Sequence, residues 1–208
     1  MQRSRWQILE FLKRKNKATL DDLAKDLGLV PVTVRAHLSV LQREDLVAAE
    51  EVRGKVGRPF YVYFLTEEAE RLFPKKYHAL ASLIIESLES SDGETKLDHL
   101  FQRISDVKAA DYKDRLVGKD LQAKVAEAVR IMNQEGGMAE WEKTEDGFTI
   151  WEHNCPFFLV AQRHPKVCLI DHLFLRKLLE TEVEAIHRII DGHPRCAYHI
   201  PANHTAER

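Results

Sequence analysis

The stretch TLDDLAKDLGLVPVTVRAHLSVLQ, residues 19–42, leaves a chain few ways to fold. Thr19 is a good helix N-cap, and Asp22 three residues on completes a T-x-x-D capping pattern. Leu20, Leu23 and Leu27 form the apolar stripe of a short helix, which Gly28 ends as a glycine does at a C′ position. Only Leu29 and Val30 separate it from Pro31, well suited to open the next helix at its first position. Val34, Leu38 and Leu41 give that next helix an i, i+4, i+7 core face. Two short helices joined by a tight Gly-containing turn are a helix-turn-helix, whose second helix presents its N-terminal residues to base edges in the major groove. A preceding helix is read in RWQILEFLKRKN, on Ile8, Leu9 and Leu12.

The positions of the second helix off its core stripe include Thr33, Arg35, His37, Ser39 and Arg43, groups suited to bases or phosphates. The plain alternative is a solvated face on a helical bundle. The next segment of the chain speaks against that alternative: LVAAEEVRGKVGRPFYVYFLT reads as two strands around a Gly-containing loop. The loop carries Arg53, Lys55 and Arg58, so a cationic hairpin tip stands beside the second helix. Helix, helix, helix and wing make a winged helix, with double-stranded DNA as the expected partner. Charge agrees: residues 1–60 hold twelve Lys and Arg against eight Asp and Glu, while the remainder holds nineteen against twenty-five.

PVTVRAHLSVLQREDLV followed by GRPFYVYFLTEEAERLFP resembles the DNA-binding domain of bacterial winged-helix regulators, in particular the SufR-type iron–sulfur repressor group. The matching positions are Val34, Arg35, His37 and Leu38 on the helix, Gly57, Arg58 and Pro59 in the wing, and Leu65, Thr66, Leu72, Phe73 and Pro74 at the exit. One departure is QREDLV, where a Gly before the Leu is common; Asp45 can still take a helix-ending or turn conformation.

Beyond the wing, EEAERLF and YHALASLIIESLES predict helix with Leu80, Leu83, Ile84 and Leu88 on one side. After a break at residues 90–93, GETKLDHLFQRISDV carries Leu97, Leu100, Phe101 and Ile104 as a second amphipathic helix. These stripes are either core or a two-fold interface. A homodimer is expected, because winged-helix regulators usually read a palindromic operator with half-sites about 34 Å apart.

The last part mixes helix and strand. LQAKVAEAVRIMNQEGG is a helix; AEWEKT and FTIWEHN form a hairpin about Asp146-Gly147; CPFFLVAQR is a short helix with Pro156 at its first position; KVCLIDHLFLRKLLE is a further helix; VEAIHRII and CAYHI are strands. The fold class is therefore α+β: a winged helix-turn-helix over residues 1–73, spacer and dimerisation helices over 74–110, and an α+β sensor domain over 111–208.

Cys155, Cys168 and Cys196 are the chain's three cysteines. They are too far apart for a zinc knuckle and odd in number for a disulfide framework. Cys155 is expected where a strand feeds a helix N-terminus, a setting that favours thiolate. Three inert core thiols are the bland reading. The spacing Cys155-x12-Cys168-x27-Cys196, within NCPFFLVAQRHPKVC and DGHPRCAYHI, is similar to the sensor domain of the same SufR-type group. That resemblance implies a [4Fe-4S] cluster held by the three cysteines, in a protein that represses cluster-assembly genes. Thiolates suit iron–sulfur clusters, and four irons need four terminal ligands, so one position falls to a non-thiolate group. His153, His164, His187 and His199 compete, with His187 the first choice for its place on the strand expected to pair with that of Cys196. Two other readings stand: the same set around zinc, or an apolar small molecule in a pocket among Trp141, Phe148, Trp151, Phe157 and Phe158, with the cysteines as core.

No phosphate-cradling Gly loop, G-x-S-x-G or H-E-x-x-H is present, so an enzyme is not expected. No apolar run approaches the roughly 20 residues that cross a bilayer, and the N-terminus lacks a secretory h-region. The expectation is a cytoplasmic protein with reduced thiols and no membrane partner.

Overall fold

In the computed structural model, residues 3–53, 59–92 and 94–202 are described, and the chain divides into two compact units, Met1–Lys75 and Lys76–Arg208. Helices and sheets occur in both, as the α+β class requires.

The first unit begins with α1 (Arg3–Lys15), which buries Ile8, Leu9, Phe11 and Leu12. Helix α2 (Leu20–Leu27) is held by a complete capping box: the Asp22 amide donates to Thr19 Oγ1 at 3.2 Å, and the Thr19 amide donates to Asp22 Oδ2 at 3.0 Å. Gly28 closes it at φ +63°, where a Cβ would be strained, and lets the Leu29 amide reach the Ala24 carbonyl at 3.1 Å. Helix α3 (Pro31–Arg43) starts on its proline and buries Val34, Leu38 and Leu41, the three residues of the predicted stripe.

Asp45 follows α3 with φ +54°, a left-handed residue at the helix exit, and the Leu46 amide returns to the Leu41 carbonyl at 2.8 Å. The chain then forms β2 (Val47–Val52) and β3 (Phe60–Leu65). A short strand β1 (Lys17–Thr19), which no sequence signal marks, pairs with the far edge of β3, giving the antiparallel order β1-β3-β2. The wing is therefore rooted in a three-stranded sheet. Helix α4 (Glu67–Leu72) is capped by Thr66, and Phe73 packs on Trp6 at a ring distance of 5.4 Å.

The second unit opens with α5 (Tyr77–Asp92) and α6 (Glu94–Tyr112). The expected stripe of α5 does not face the unit's own core. Ser82 and Ile85 are buried, whereas Leu80, Leu83 and Ile84 are each more than half exposed. On α6, Leu97 and Phe101 are buried as expected, and Ile104 and Val107 face outward. Helix α7 (Leu121–Gln134) buries Val125, Ala128, Val129 and Met132.

Strands β4 (Ala139–Lys143), β5 (Gly147–Glu152), β6 (Glu184–His187) and β7 (Cys196–Pro201) form one antiparallel sheet in the order β4-β5-β7-β6, so the two predicted hairpins join edge to edge through β5 and β7. Gly147 opens β5 rather than sitting in the turn. A Cβ there would collide with the Ile200 carbonyl oxygen, so the close approach of β7 requires glycine. The expected helix after Cys155 shrinks to α8 (Phe158–Ala161), and a 3-10 turn over Pro165–Cys168 leads into α9 (Leu169–Leu179). Residues on one face of the sheet, among them Phe148, Ile150, Tyr198 and Ile200, pack with α7 and α9 in the main core. A second cluster joins Ile85 of α5 and Leu97 and Phe101 of α6 to Ala161, Val167 and Ile170, the last two on either side of Cys168. No helix among the described residues is long and apolar enough to cross a membrane.

Candidate functional site

Two regions hold the residues singled out from the sequence, one in each unit. In the first unit the core stripe of α3 points inward, and Arg35, Ser39 and Arg43 are exposed while Thr33 and His37 are half-buried. Val32, at the start of α3, is 73% exposed, an apolar group offered to solvent where helix N-termini enter a groove. The Ser39 hydroxyl donates to the Arg35 carbonyl at 3.0 Å. Arg53 is exposed, with its Nε 3.7 Å from Glu51. Lys55 and Arg58, with Gly54 and Gly57, lie outside the described residues. Between α3 and the sheet runs a groove of about 720 Å³ whose walls include Arg35, Ser39, Gln42 and the exposed ring of Tyr61. In sequence Tyr61 is only an alternating strand residue; on β3 it is exposed, in register with Glu51 of β2.

In the second unit, Cys155, Cys168 and Cys196 come from three points far apart in sequence and line one cavity of about 20 Å³, together with Glu152, Asp171 and Arg188. None is in a disulfide. Three element ends meet there: Cys155 follows β5, Cys168 is the residue before α9, and Cys196 begins β7. Backbone amides address the sulfurs. The Ile189 N–H donates to Cys196 Sγ at 3.4 Å, and the Phe157 amide stabilises the Cys155 sulfur.

The fold does not favour the thiolate expected at Cys155. No helix starts at Cys155, and burial pushes its thiol up to about 12. Burial raises Cys196 to about 11, and it raises Cys168 as well, against the pull of Arg188. Near neutral pH the three thiols are therefore protonated.

Glu152, the last residue of β5, is a site residue that the sequence motifs do not flag. It is 3% exposed, its Oε2 has no hydrogen-bond partner, and burial lifts its carboxyl to about 8. One signal for it is present: Phe148, Ile150 and Glu152 share the period-2 face of an otherwise apolar strand. Asp171, also buried, is engaged by Lys108 at 3.0 Å, and Lys108 also reaches Glu135 at 2.7 Å.

The four histidines are placed elsewhere. His187 pairs in register with Ala197, neighbour of Cys196, and so projects from the opposite face of the sheet. Its ring stacks on His193 at 4.3 Å. His153 contacts Glu140 at 3.0 Å; His164 is buried 3.7 Å from Glu86; His199 stands 3.4 Å from Asp146. None lines the thiol cavity. Among the described residues no three His, Cys, Asp or Glu side chains are grouped closely enough to hold a metal ion.

The donors suit a soft, multi-iron group in kind: three sulfurs, amides directed at them and a cation nearby. In size, the cavity holds about one water, so a cluster requires the lining side chains to draw back. Glu152, Phe157 and Asp171 also border a larger groove of about 760 Å³ along α6, lined by Leu100, Ile104 and Val107.

Residues 3–49 match the family model described as "Bacterial regulatory protein, arsR family". The first unit carries an ArsR-type helix-turn-helix. Among solved structures, the chain is similar to a transcriptional regulator homologue from Pyrococcus horikoshii OT3, at 29% identity over 41% of this chain and 82% of that one, with a TM-score of 0.29. It is also similar to Bacillus subtilis PadR, solved in complex with operator DNA, at 12% identity over 84% of this chain and 99% of that one, with a TM-score of 0.32. No curated protein matches the chain. An ArsR-type domain with a winged sheet makes this a DNA-binding transcriptional regulator.

Proposed function

We propose that this regulator is a repressor that senses iron–sulfur status through a cluster bound by Cys155, Cys168 and Cys196. The observation that carries the reading is that the chain's three cysteines line one small cavity. A [4Fe-4S] cluster, when bound, supplies a redox-labile and oxygen-sensitive centre. Cys155, Cys168 and Cys196 would hold such a group as thiolates, the Ile189 and Phe157 amides would stabilise the sulfurs, and the small cavity would have to widen to admit it.

That expansion gives the sensor a lever. The segment bearing Cys168 packs against Ile85 of α5 and Leu97 and Phe101 of α6, so swelling of the cavity presses on both helices. The outer side of α5 presents Tyr77, Leu80, Leu83 and Ile84 to solvent, and this surface is the proposed homodimer contact. Loading would then shift the dimer toward a geometry that fits two half-sites of a palindromic operator, to be contacted by Thr33, Arg35, His37, Ser39 and Arg43 of α3 and by Arg53, Lys55 and Arg58 of the wing.

The test is anaerobic purification with an absorption spectrum and analysis for iron, sulfide and zinc, followed by operator binding before and after metal removal. Iron and sulfide in equal amounts with tighter DNA binding support the reading. Zinc without sulfide replaces the cluster with a metal sensor. A second reading draws on the 760 Å³ groove, whose size and apolar walls suit a small-molecule effector with the cysteines as core. A protein with neither metal nor sulfide favours it.

A further inference from the structure

We infer that Glu152, rather than a histidine, supplies the oxygen ligand to the iron that the three cysteines leave open; this rests on the cluster reading above.

Four observations converge on this residue. Glu152 lines the same cavity as the three cysteines. It is the antiparallel register partner of Cys196, so the two side chains leave the sheet side by side on one face. It is 3% exposed, and its Oε2 accepts no hydrogen bond. A buried carboxyl group with an unused oxygen is destabilising unless something fills that position. Finally, Gly137 makes room for it: a Cβ there would stand 2.8 Å from Glu152 Oε1 and 3.1 Å from the Met132 carbonyl oxygen.

The competitors lack this combination. Asp171 borders the cavity, but Lys108 already occupies its Oδ1 at 3.0 Å. His187 leaves the sheet on the other face and is stacked on His193. His164 is buried and its Nε2 makes no hydrogen bond, but it does not line the cavity. The lack of a tight three-donor group among the described residues is no obstacle, because each ligand of a cluster binds its own iron rather than a shared ion. A carboxylate in that position is a harder and weaker ligand for iron than thiolate, which leaves one iron exchangeable.

The experiment uses full-length protein reconstituted anaerobically with ⁵⁷Fe and sulfide. Mössbauer spectra are recorded, and iron release to a chelator is timed. The expected wild-type spectrum resolves one iron subsite from the other three. Glu152→Gln keeps the three cysteine-bound irons, alters that subsite and releases its iron about tenfold faster. Glu152→Cys restores retention with four equivalent thiolate sites. Gly137→Ala, which leaves the carboxylate in the chain but crowds it, perturbs the same subsite and covers the case in which the Glu152 variants do not fold. A loaded wild type whose subsite and release rate are unchanged in Glu152→Gln, or in Gly137→Ala where the former is unfolded, overturns the assignment while leaving the cluster reading intact. A wild type that binds neither iron nor sulfide overturns both.

Discussion

Arg35 and Ser39 stand one turn apart on α3, and the Ser39 hydroxyl donates to the Arg35 carbonyl oxygen at 3.0 Å. Both side chains are exposed beside the groove between α3 and the wing sheet, but only one is fully available. The serine's proton is committed to its own helix, as Ser in mid-helix commonly arranges. Arg35 is thus expected to carry more of the DNA contact. Arg35→Ala should weaken operator binding by about 1–3 kcal/mol if it reads a base. If it contacts a phosphate, it should lower the salt slope by about 1. Ser39→Ala should cost less than Arg35→Ala, because the hydroxyl proton is committed and only the oxygen's lone pairs are left for the duplex. Fluorescence anisotropy on an operator duplex over a salt series checks both, and equal losses would show that the Ser39 hydroxyl turns outward on binding.

Asp45 holds φ +54° at the exit of α3, a conformation that strains a residue with a Cβ and suits glycine. Asp45→Gly should stabilise the first unit by roughly 1 kcal/mol. Urea unfolding followed by Trp6 fluorescence, with Trp141 and Trp151 replaced by Phe in both proteins, checks this, and an unchanged midpoint would mean that the left-handed turn is not strained.

Glu127 accepts hydrogen bonds from Lys119 at 3.0 Å, Arg115 at 2.5 Å and Arg130 at 3.0 Å, and these hold its carboxyl at about 2. Because the folded value lies below the ordinary 4.5, the linked stability is complete above pH 4.5 and is lost as pH falls toward 2. Glu127→Gln should cost about 2 kcal/mol at pH 7 and flatten the acid limb over that window. Thermal melts of both proteins between about pH 2 and pH 7 decide the matter, parallel curves being the adverse outcome.

Leu80, Leu83 and Ile84 give α5 an outward apolar surface while Ser82 and Ile85 do its inward packing. If α5 is the homodimer contact proposed above, Leu80→Glu with Leu83→Glu should convert the dimer to a monomer without loss of helix content. Sedimentation velocity with circular dichroism reads both quantities. A double variant that remains dimeric places the interface elsewhere.

Cys196 is 6% exposed, and burial keeps all three thiols protonated near neutral pH. In metal-free protein at about pH 8, alkylation of Cys155 and Cys196 should lag free cysteine by at least about tenfold, since the thiolate is the nucleophile. Mass spectrometry after timed iodoacetamide treatment measures it, and rapid labelling of the folded protein would contradict the burial.

The sequence by itself determined what is decided within a few residues. The Thr19–Asp22 capping box, the left-handed Gly28 and Pro31 at the head of α3 are short-range chemistry, and each stands where its local signal puts it. The same holds for the apolar stripe of α3 and the strands of the wing. Tertiary structure decided what depends on partners distant along the chain. Periodicity marks Leu80, Leu83 and Ile84 as one side of α5, but period cannot say whether that side meets the unit's own core; Ile85 and Ser82 do so instead. Helix-end logic points to a thiolate at Cys155, whereas desolvation by the surrounding fold reverses the preference. His187 is the natural first choice for its strand, but register, set by pairing across the sheet, turns it to the face away from Cys196 and puts Glu152 beside that cysteine. Burial and register are sums over long-range contacts, which no window of sequence contains.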